Sequence, residues 1–342
     1  MTRAKLLLIT ALLAVCACNG NGTDTPGDIP EDPQPVFARG ADASWVTEME
    51  ASGKFFYDAN GQKTECFALL KSLGFNAIRL RVWVNPANGY NGLEDVVAKA
   101  VRAKNLGLPV MVDFHYSDSW ADPGQQYPPA AWKDYDLERM AKAVSDHTTA
   151  VLNALKDKGV QVDWVQTGNE TPTGMLWPLG SVSEKTGGSG FATLANAGYN
   201  ASKAVFPKAK VLLHIDNGYD LGRTTWFLDL VKQSGAKWDV IGLSLYPDEK
   251  TWESYVKRCT SNMMSLANTY KCETMVCEVG APWDAAWAGD FLSAIVQGAR
   301  NTTGCLGVFY WEPECYGNWN GYTKGAFDNS GKPTAALAAF AQ

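Results

Sequence analysis

Eight short apolar segments recur along the chain, and each is followed by a longer segment whose apolar residues repeat with helical spacing. They begin roughly 30 to 55 residues apart, as expected when a helix and a loop follow each strand. Strands that alternate with helices form βαβ units and therefore a parallel sheet. Eight such units predict a single (β/α)8 TIM barrel of the α/β class. The candidate strands are Phe37–Ala41, Ala77–Val82, Pro109–Phe114, Asp163–Thr167, Lys210–Ile215, Val240–Leu245, Thr274–Cys277 and Leu306–Tyr310.

The segments between these strands favour the same fold. Glu94–Lys104 and Leu137–Leu155 place apolar residues three and four positions apart, which is typical of a helix with one buried face. The alternative for alternating strands and helices is an open doubly wound sheet. No G-x-G-x-x-G sequence follows an early strand, so nothing in the chain supports a dinucleotide or phosphate site.

The first residues have the pattern of an export signal. Arg3 and Lys5 precede the apolar run Leu6–Val15, which is too short to span a bilayer. The run ends in Val-Cys-Ala-Cys, which resembles a bacterial lipobox. We therefore predict that residues 1–18 are a lipoprotein signal peptide and that Cys18 carries the lipid, at the cell envelope or surface. The alternative is an ordinary cleaved signal with incidental cysteines.

A linker is predicted after the signal peptide. Residues 19–35 are polar, and from Thr23 to Pro35 they are rich in proline and acidic residues. Such a segment buries no apolar surface and is expected to be extended and flexible. The catalytic barrel domain then runs from residue 36 to residue 342.

Composition limits the partners that this domain can have. With 46% hydrophobic and 19% charged residues the chain can bury a sizeable core. Its net charge of -6 and its lack of basic runs exclude an electrostatic surface for nucleic acid or anionic lipid. Thirteen Trp and thirteen Tyr suit the apolar faces of sugars, although most aromatic residues belong to cores. We expect a monomer that acts on a neutral substrate and meets the membrane only through its anchor.

The cysteines and histidines give no metal signature. After the signal peptide six cysteines remain, an even number that permits disulfides in an exported protein, and their connectivity stays open. They lack C-x-x-C spacing, and three histidines without H-x-H or H-E-x-x-H spacing favour sugar contacts or core positions over metal ligands. We expect no cofactor and no metal, and structural roles for the cysteines.

Two glutamates follow predicted strands four and seven. Glu170 and Glu278 therefore face each other across the mouth of the predicted barrel, where the active sites of such barrels lie. One glutamate can protonate a leaving oxygen while the other attacks the anomeric carbon of a sugar, which is the retaining arrangement when the carboxyl groups lie about 5 to 5.5 Å apart. A single glutamate after a strand is more often an ion-pair partner or a helix cap, so the argument depends on the pair.

The two glutamates need different protonation states. We expect burial and the charge of Glu278 to raise the pKa of Glu170, the proton donor. Glu278 should stay ionised with help from Arg79 or Arg81 and from Tyr246.

Other polar and aromatic residues at the strand ends are candidates for sugar binding. Asn169 can bind the 2-hydroxyl of the reacting sugar, and Trp311 can stack under a ring. Asp113, Asp118 and Asp216 have equal claims as hydroxyl ligands and as loop caps. The complete set of predicted binding residues is Asp42, Arg79, Arg81, Trp83, His115, Tyr116, Asp118, Trp120, Asn169, His214, Asp216, Asn217, Tyr246 and Trp311.

Seven motifs in strand order resemble glycoside hydrolase family 53, the endo-β-1,4-galactanases. The eleven-residue run from Asp113 is highly specific, whereas the N-E dipeptide and a later E-V-G are shared by many retaining barrels. The motifs are F-A-R-G-A-D-A-S from Phe37, R-L-R-V-W-V-N-P from Arg79, D-F-H-Y-S-D-S-W-A-D-P from Asp113, G-N-E from Gly168, H-I-D-N-G from His214, S-L-Y-P from Ser244 and F-Y-W-E-P from Phe309.

The resemblance implies endo-hydrolysis of β-1,4-galactan chains of pectic arabinogalactan by double displacement, with Glu170 as acid/base and Glu278 as nucleophile. The match around Glu278 is looser, and Cys277 is an unusual neighbour. Some bacterial members carry a longer final loop that holds calcium; here Glu314–Asn320 is short, so calcium is not expected.

Two other functions remain open at this point. The chain can be a surface glycan-binding lipoprotein that has kept the barrel without catalysis, although it retains both glutamates. It can also be a retaining endo-hydrolase of another β-glycan such as mannan or xylan, because one barrel serves many substrates.

Overall fold

The computed structural model describes residues 36–341. The predicted signal peptide, the lipobox with Cys18, the linker and Gln342 lie outside the described residues. Within the described part no helix is long and apolar enough to cross a membrane. The six cysteines of this part are free thiols, so none of them forms a disulfide.

Eight parallel strands close into a barrel, which confirms the predicted fold. Going round the barrel the order is β1-β8-β7-β6-β5-β4-β3-β2, so every strand lies beside its sequence neighbours. The predicted strand bounds differ from the observed ones by at most two residues. The strands are β1 Ala38–Asp42, β2 Ala77–Val82, β3 Val110–Phe114, β4 Val162–Thr167, β5 Lys210–Ile215, β6 Val240–Leu245, β7 Glu273–Val279 and β8 Cys305–Trp311.

The interior of the barrel changes from apolar to polar along each strand. Side chains alternate between the two faces of a strand, so every second residue points inward. On β2 these inward residues are Ala77, Arg79 and Arg81. The first layer is an apolar cluster that includes Met111, Trp164, Leu212 and Met275. Above it lies a buried polar layer, so the strands place polar side chains at one end of the buried interior. This layer includes Arg79, Asp113, Gln166 and His214.

Two inward positions are glycines because neighbouring interior side chains occupy the space that a Cβ would need. A Cβ on Gly40 would lie within 3.0 Å of the Phe309 ring, and a Cβ on Gly242 would lie within 3.0 Å of the Cys277 sulfur. Real Cβ atoms essentially never approach so closely. The unexpected Cys277 therefore fills interior space that Gly242 leaves open.

Eight helices cover the outside of the barrel. The helix α4 shows why they form: Asp136 caps its first turn by accepting from the backbone N–H of Arg139, and Met140, Val144, Val151 and Leu155 bury one face. The helices are α1 Val46–Ala51, α2 Cys66–Ser72, α3 Leu93–Asn105, α4 Leu137–Asp157, α5 Ser189–Val205, α6 Leu221–Gln233, α7 Trp252–Tyr270 and α8 Ala288–Arg300.

Shorter elements complete the described chain. Two two-stranded ribbons lie in loops, Phe56–Tyr57 with Lys63–Thr64 and Gly174–Met175 with Gly180–Ser181. The final 3₁₀ helix, Ala335–Phe340, packs on α8, and Phe340 stacks on Phe75 with ring centroids 4.5 Å apart. The end of the described chain is thereby held against the barrel. The other 3₁₀ helices are Ala130–Trp132 and Trp319–Gly321.

Candidate active site

Glu170 and Glu278 reach the same cavity from opposite sides of the barrel. Glu170 follows β4 with a left-handed backbone φ of 43°, a conformation that a non-glycine residue adopts only where its surroundings enforce it. Glu278 lies within β7, where a bulge interrupts the pairing with β6 between Leu243 and Ser244. Both line a cavity of about 700 Å³ at the carboxyl ends of the strands. The structure thus brings the predicted pair together.

Aromatic residues form much of the wall of this cavity. Four tryptophans contribute, on the loops after β1 to β3 and at the end of β8, and Trp45 contacts Trp120 and Trp311 edge to face at 5.4 and 5.2 Å. Edge-to-face packing fixes the rings and leaves faces for the apolar side of a sugar. The lining residues are Trp45, Glu48, Trp83, Asn88, His115, Trp120, Ala121, Asp122, Asn169, Glu170, Tyr246, Glu278, Trp311, Asn320, Gly321, Tyr322, Thr323 and Lys324.

Arg79 is the central cation of the buried polar layer. Its guanidinium group is fully buried and pairs with Asp42 at 2.7 Å, Asp113 at 2.9 Å and Glu278 at 2.9 Å. It also donates to Gln166 and Asn169. Burial alone lowers an arginine pKa, but the three carboxylates outweigh it and hold the pKa of Arg79 well above its usual value. Arg79 therefore fixes Glu278 and Asn169 in one charged network.

The carboxyl groups of Glu170 and Glu278 have unequal proton affinities. Burial is the main cause that raises the pKa of Glu170 to about 8, and the charge of Glu278 raises it further. This confirms the expected direction and both expected causes. Burial also raises the pKa of Glu278 to about 7, while Arg79 and the Tyr246 hydroxyl, 2.9 Å from Oε2, lower it. The expectation of a fully ionised Glu278 at neutral pH is therefore wrong, because burial outweighs its partners, but Glu278 remains the more acidic of the two.

A relay of neutral groups supports Glu170. The backbone N–H of Glu170 donates to Nδ1 of His214 at 3.3 Å, and Nε2 of His214 hydrogen-bonds the Ser244 hydroxyl at 2.8 Å. Ser244 hydrogen-bonds the Glu170 carboxyl. Burial and the nearby Arg79 hold the pKa of His214 well below its usual value, so the ring stays neutral. His214 thus acts on the acid rather than on the sugar.

His115 and Asn169 hold the loop that follows β3. Nδ1 of His115 accepts from the backbone of Ala121 at 3.1 Å and from the Trp83 indole at 3.4 Å, while Nε2 faces Asp113 at 3.1 Å. The amide of Asn169 donates to the Ala121 carbonyl at 2.9 Å. Burial lowers the pKa of His115, so it too is neutral. Both residues line the cavity, as predicted.

Arg81 anchors the tryptophan wall from below. Its guanidinium lies 4.2 Å from the Trp120 ring centroid and within 5.3 Å of Trp83 and Trp45. Its ion pair is with Glu312 at 3.0 Å, not with Glu278. The Glu312 carboxylate also accepts from the backbone N–H of Trp45. Arg81 therefore positions aromatic rings and does not line the cavity.

Glu312, Glu314 and Cys315 form the cluster of the described residues that resembles a metal site. Their donor atoms lie within 4.8 Å of one another, and all three are buried. Glu312 already balances Arg81, and burial together with Glu312 raises the pKa of Glu314 well above its usual value. A protonated Glu314 that hydrogen-bonds Glu312 accounts for the cluster without an ion.

Several predicted binding residues lie away from the cavity wall. The buried Tyr116 bonds Thr148 at 2.8 Å and stacks on Phe114, so it packs between the barrel and α4. Asp118 caps the backbone of Asn85 and Ala130. The last three predicted residues do not line the cavity either; they are Asp42, Asp216 and Asn217. Asp42 binds Arg79 and Ser44, and Asp216 pairs with Arg223 and with Asn217, which lines a neighbouring cavity.

Sequence reasoning missed other residues of the wall. Trp45, Tyr322 and Lys324 come from loops after β1 and β8 that have no periodic pattern. Gln166 was missed although it is an inward residue of β4, and its amide contacts Asp113 at 2.5 Å and Asn169 at 3.1 Å. The alternation of residues along β4 was the signal for Gln166, because it lies two residues after the inward Trp164.

A closed (β/α)8 barrel with one glutamate directly after β4 and another on β7, both in a cavity walled by tryptophan, defines the class of barrel glycoside hydrolases. A comparison with known families identifies one family within that class. The model of Glycosyl hydrolase family 53 matches residues 38–292, and the chain belongs to this family.

Relatives and solved structures agree with the family. Arabinogalactan endo-beta-1,4-galactanase of Thermothelomyces thermophilus is 31% identical over 333 residues, 88% of this chain and 98% of that protein. Endo-beta-1,4-galactanase of Bacillus subtilis is 31% identical over 309 residues, 81% of this chain and 70% of that protein. A solved fungal beta-1,4-galactanase superposes with a TM-score of 0.82 at 29% identity, over 88% of this chain and 98% of that chain.

Proposed function

We propose that the chain is an exported endo-β-1,4-galactanase that hydrolyses the galactan of pectic arabinogalactan with retention of configuration. The observation that carries the proposal is that Glu170 and Glu278 line one aromatic cavity and that their pKa values are raised to about 8 and about 7. The galactanase names of relatives that match most of the chain support the choice of sugar. A cavity wall of tryptophans suits a polysaccharide substrate. The negative net charge of the chain and its lack of basic runs favour a neutral one.

The first step forms a glycosyl ester. An oxygen of Glu278 attacks the anomeric carbon, the glycosidic bond breaks, and the proton of Glu170 passes to the departing sugar oxygen. In this proposal the amide of Asn169, which contacts Arg79, binds the 2-hydroxyl, and the contact strengthens as positive charge develops on the ring. Trp311 supports the ring from the β8 side.

The second step reverses the proton transfer. Glu170, now ionised, removes a proton from water, and the oxygen of that water attacks the anomeric carbon. The ester bond breaks and Glu278 leaves as a carboxylate. Glu170 is then protonated again and Glu278 is ionised again, so both groups are ready for the next cycle.

Reducing-end release from galactan, mannan and xylan, measured side by side, tests the substrate. We expect release from galactan and none from the other two. Cleavage of mannan or xylan but not of galactan would overturn the proposed substrate and would leave the proposed mechanism unaffected. Proton NMR of the first product tests the stereochemistry: β-configured ends are expected, and α-configured ends would show inversion.

A pair of variants separates catalysis from binding. Glu278→Ala removes the nucleophile and is expected to abolish turnover while galactan binding persists. Glu273→Ala is its matched control, because Glu273 lies on the same strand in a partly exposed ion pair with Lys210. The alternative is a surface glycan-binding protein without catalysis. It would be established if the unaltered protein bound galactan as strongly as Glu278→Ala does and hydrolysed none of it.

The envelope location is part of the same proposal. The Val-Cys-Ala-Cys sequence supports a lipid on Cys18, with residues 19–35 as a tether and the barrel domain from residue 36 as a monomer. Metabolic labelling with a palmitate analogue in a bacterial host tests the anchor. The label is expected in the unaltered chain and in Cys16→Ser but not in Cys18→Ser, and sedimentation of the barrel domain reports its monomeric state.

A further inference from the structure

The backbone around the proposed acid/base, Glu170, is held from two sides of the barrel. On the β5 side its N–H donates to Nδ1 of His214 at 3.3 Å, and the N–H of Thr171 donates to the His214 carbonyl at 2.8 Å. On the β3 side the side-chain amide of Gln126 donates to the carbonyl of Asn169 at 2.8 Å and to that of Glu170 at 3.3 Å. No step of the mechanism above uses Gln126.

Gln126 is close to the acid but apart from the substrate. It lies in the loop between β3 and α4, and only 1% of its surface is exposed. It is not among the residues that line the cavity, so it does not touch a sugar bound there. Any effect of Gln126 on the reaction therefore passes through Asn169 and Glu170.

The chemistry of the Gln126 side chain fits this contact. Its nitrogen carries two N–H bonds, and each of the two carbonyl oxygens accepts one of them. Its amide oxygen has no hydrogen-bond partner within the described residues, and a buried polar atom without a partner costs free energy. An apolar side chain of the same length would avoid that cost. The two donated bonds are therefore what a glutamine adds at this position.

These bonds hold a backbone conformation that needs support. In the turn after β4, Gly168 and Glu170 both have a positive φ, of 92° and 43°. A glutamate adopts such a backbone only where its surroundings enforce it. A change in the φ of Glu170 would move its carboxyl away from the bond that is cleaved. Gln126 spans two successive carbonyls of this turn and thereby opposes that change.

The loop that carries Gln126 is itself fixed to the loop after β4. The backbone N–H of Trp177 donates to the Gln126 carbonyl at 2.7 Å, and the hydroxyl of Thr173 donates to the Pro123 carbonyl at 3.0 Å. Gln126 is thus anchored through its backbone to the same loop that its side chain supports. Its two donors are therefore held in place before a substrate binds.

We infer that Gln126 is a positioning residue for the acid/base, and that its two donated hydrogen bonds hold the Glu170 carboxyl at the glycosidic oxygen of the substrate. The inference rests on the proposed galactanase function and deepens it. The nucleophile Glu278 is held separately, by Arg79 and Tyr246. Loss of the Gln126 amide therefore impairs proton transfer and leaves the nucleophile in place.

Two substrates that differ in their need for the acid test the inference. The departing sugar of galactan must receive a proton, whereas 2,4-dinitrophenyl β-galactobioside releases a stable phenolate that needs none. Gln126→Met keeps the length of the side chain and removes both donors. It is expected to lower kcat/KM on galactan by about 10- to 100-fold. Its kcat/KM on the dinitrophenyl substrate, which reports formation of the glycosyl ester, is expected to stay unchanged, and this also shows that the variant is folded.

The second step of the reaction gives an independent readout. Glu170 acts there as the base, so a misplaced Glu170 also slows hydrolysis of the glycosyl ester. Azide is an anion and needs no base: its nitrogen bonds to the anomeric carbon, the ester bond breaks and Glu278 leaves as a carboxylate. Sodium azide is therefore expected to raise kcat of Gln126→Met on the dinitrophenyl substrate and to yield β-galactobiosyl azide. It is expected to leave kcat of the unaltered protein unchanged.

Gln161→Met is the matched control. Gln161 directly precedes β4, at the opposite end of the strand from Glu170, and its amide donates to Asp163 at 2.9 Å. The control is expected to leave kcat/KM on both substrates unchanged. Gln126→Asn is a second test variant, because its amide is one methylene shorter and cannot reach both carbonyls. It is expected to show the same pattern with a smaller loss, and it decides the test if Gln126→Met does not fold.

The two substrates separate positioning from a merely structural role. An equal loss on galactan and on the dinitrophenyl substrate, or no loss on galactan, overturns the inference while the galactanase function stands. A loss on galactan alone that azide does not accompany with a higher kcat on the dinitrophenyl substrate also overturns it. Failure of the unaltered protein to cleave galactan overturns the proposed function, and the inference with it.

Discussion

Cys277 and Glu278 are neighbours in the sequence, yet both side chains face the inside of the barrel. In regular pairing successive side chains point to opposite faces. Val276 pairs with Leu243 and Glu278 pairs with Ser244, so Cys277 is the extra residue of a bulge. Cys277 lies in the apolar first layer, and Glu278 meets Arg79 above it. The bulge turns the side chain of Glu278 from the helix side of β7 to the mouth of the barrel.

A side chain introduced at Gly242 would test the packing around Cys277. Gly242→Ala places a Cβ within 3.0 Å of the Cys277 sulfur and is expected to destabilise the fold by about 1 to 3 kcal/mol in urea unfolding. It should also lower kcat, because the bulge that carries Glu278 must shift. Cys277→Ala added to Gly242→Ala removes the clash, and most of the lost stability and activity is expected to return. Strictly additive losses in the double variant would show that the two residues do not share this space.

The bulge also shows where sequence reasoning stops. Seven of the eight predicted strands end within one residue of the observed ends, but the strand before Glu278 was ended at Cys277, two residues early. A shift of one residue exchanges the faces of a strand, and no residue type marks a bulge in the chain. The position of Glu278 after apolar residues was readable. The direction of its side chain depends on pairing with β6, which is a tertiary contact.

Arg79 is expected to contribute more to stability than a partly exposed arginine that also pairs with several carboxylates. Arg79→Met leaves Asp42, Asp113 and Glu278 buried without their cation and should cost about 3 to 5 kcal/mol of unfolding free energy. Arg102→Met is the matched control, because Arg102 contacts two glutamates but is 24% exposed. It should cost about 1 kcal/mol or less. Equal losses in urea titrations would contradict the central role of Arg79.

The pH dependence of activity is expected to report the catalytic pair. Activity needs Glu278 ionised and Glu170 protonated, so kcat/KM should rise through a pKa of about 7 and fall through one of about 8. Tyr246→Phe removes a hydrogen bond that favours the charged form of Glu278. The pKa of Glu278 then rises, and the acidic limb moves to higher pH while the alkaline limb stays in place. An acidic limb that stays in place or moves to lower pH would sink this assignment.

The loops account for most of the site that the sequence did not reveal. Inward residues such as Arg79 and His115 follow from the two-residue period of a strand. Trp45 and Tyr322, by contrast, lie on loops whose backbone path no periodicity describes. Tyr116 is predicted to bind substrate because it belongs to the motif at the end of the third strand, but its left-handed φ of 51° turns it towards α4. Motif membership located the site, and backbone conformation decided which members reach the cavity.

His147 is expected to weaken the fold in mild acid. Its Nε2 is buried without a hydrogen-bond partner in the described part of the chain, among the rings of Phe114, Tyr116 and Trp132. Burial lowers its pKa from 6.5 to about 4. Well above pH 6.5 the imidazole is deprotonated in both the folded and the unfolded chain, so its titration does not affect stability there.

As the pH falls from 6.5 towards 4, the unfolded chain binds a proton that the folded chain refuses, so stability is lost with falling pH. Between pH 7 and pH 5 this loss is about 2 kcal/mol. His147→Phe keeps an aromatic ring without a titrating group and should lack this part of the loss. Urea unfolding at both pH values measures it: the variant is expected to lose about 2 kcal/mol less than the unaltered protein. The same loss in both would place the acid sensitivity at His115, His214 or the carboxyls instead, because those groups are unchanged in the variant.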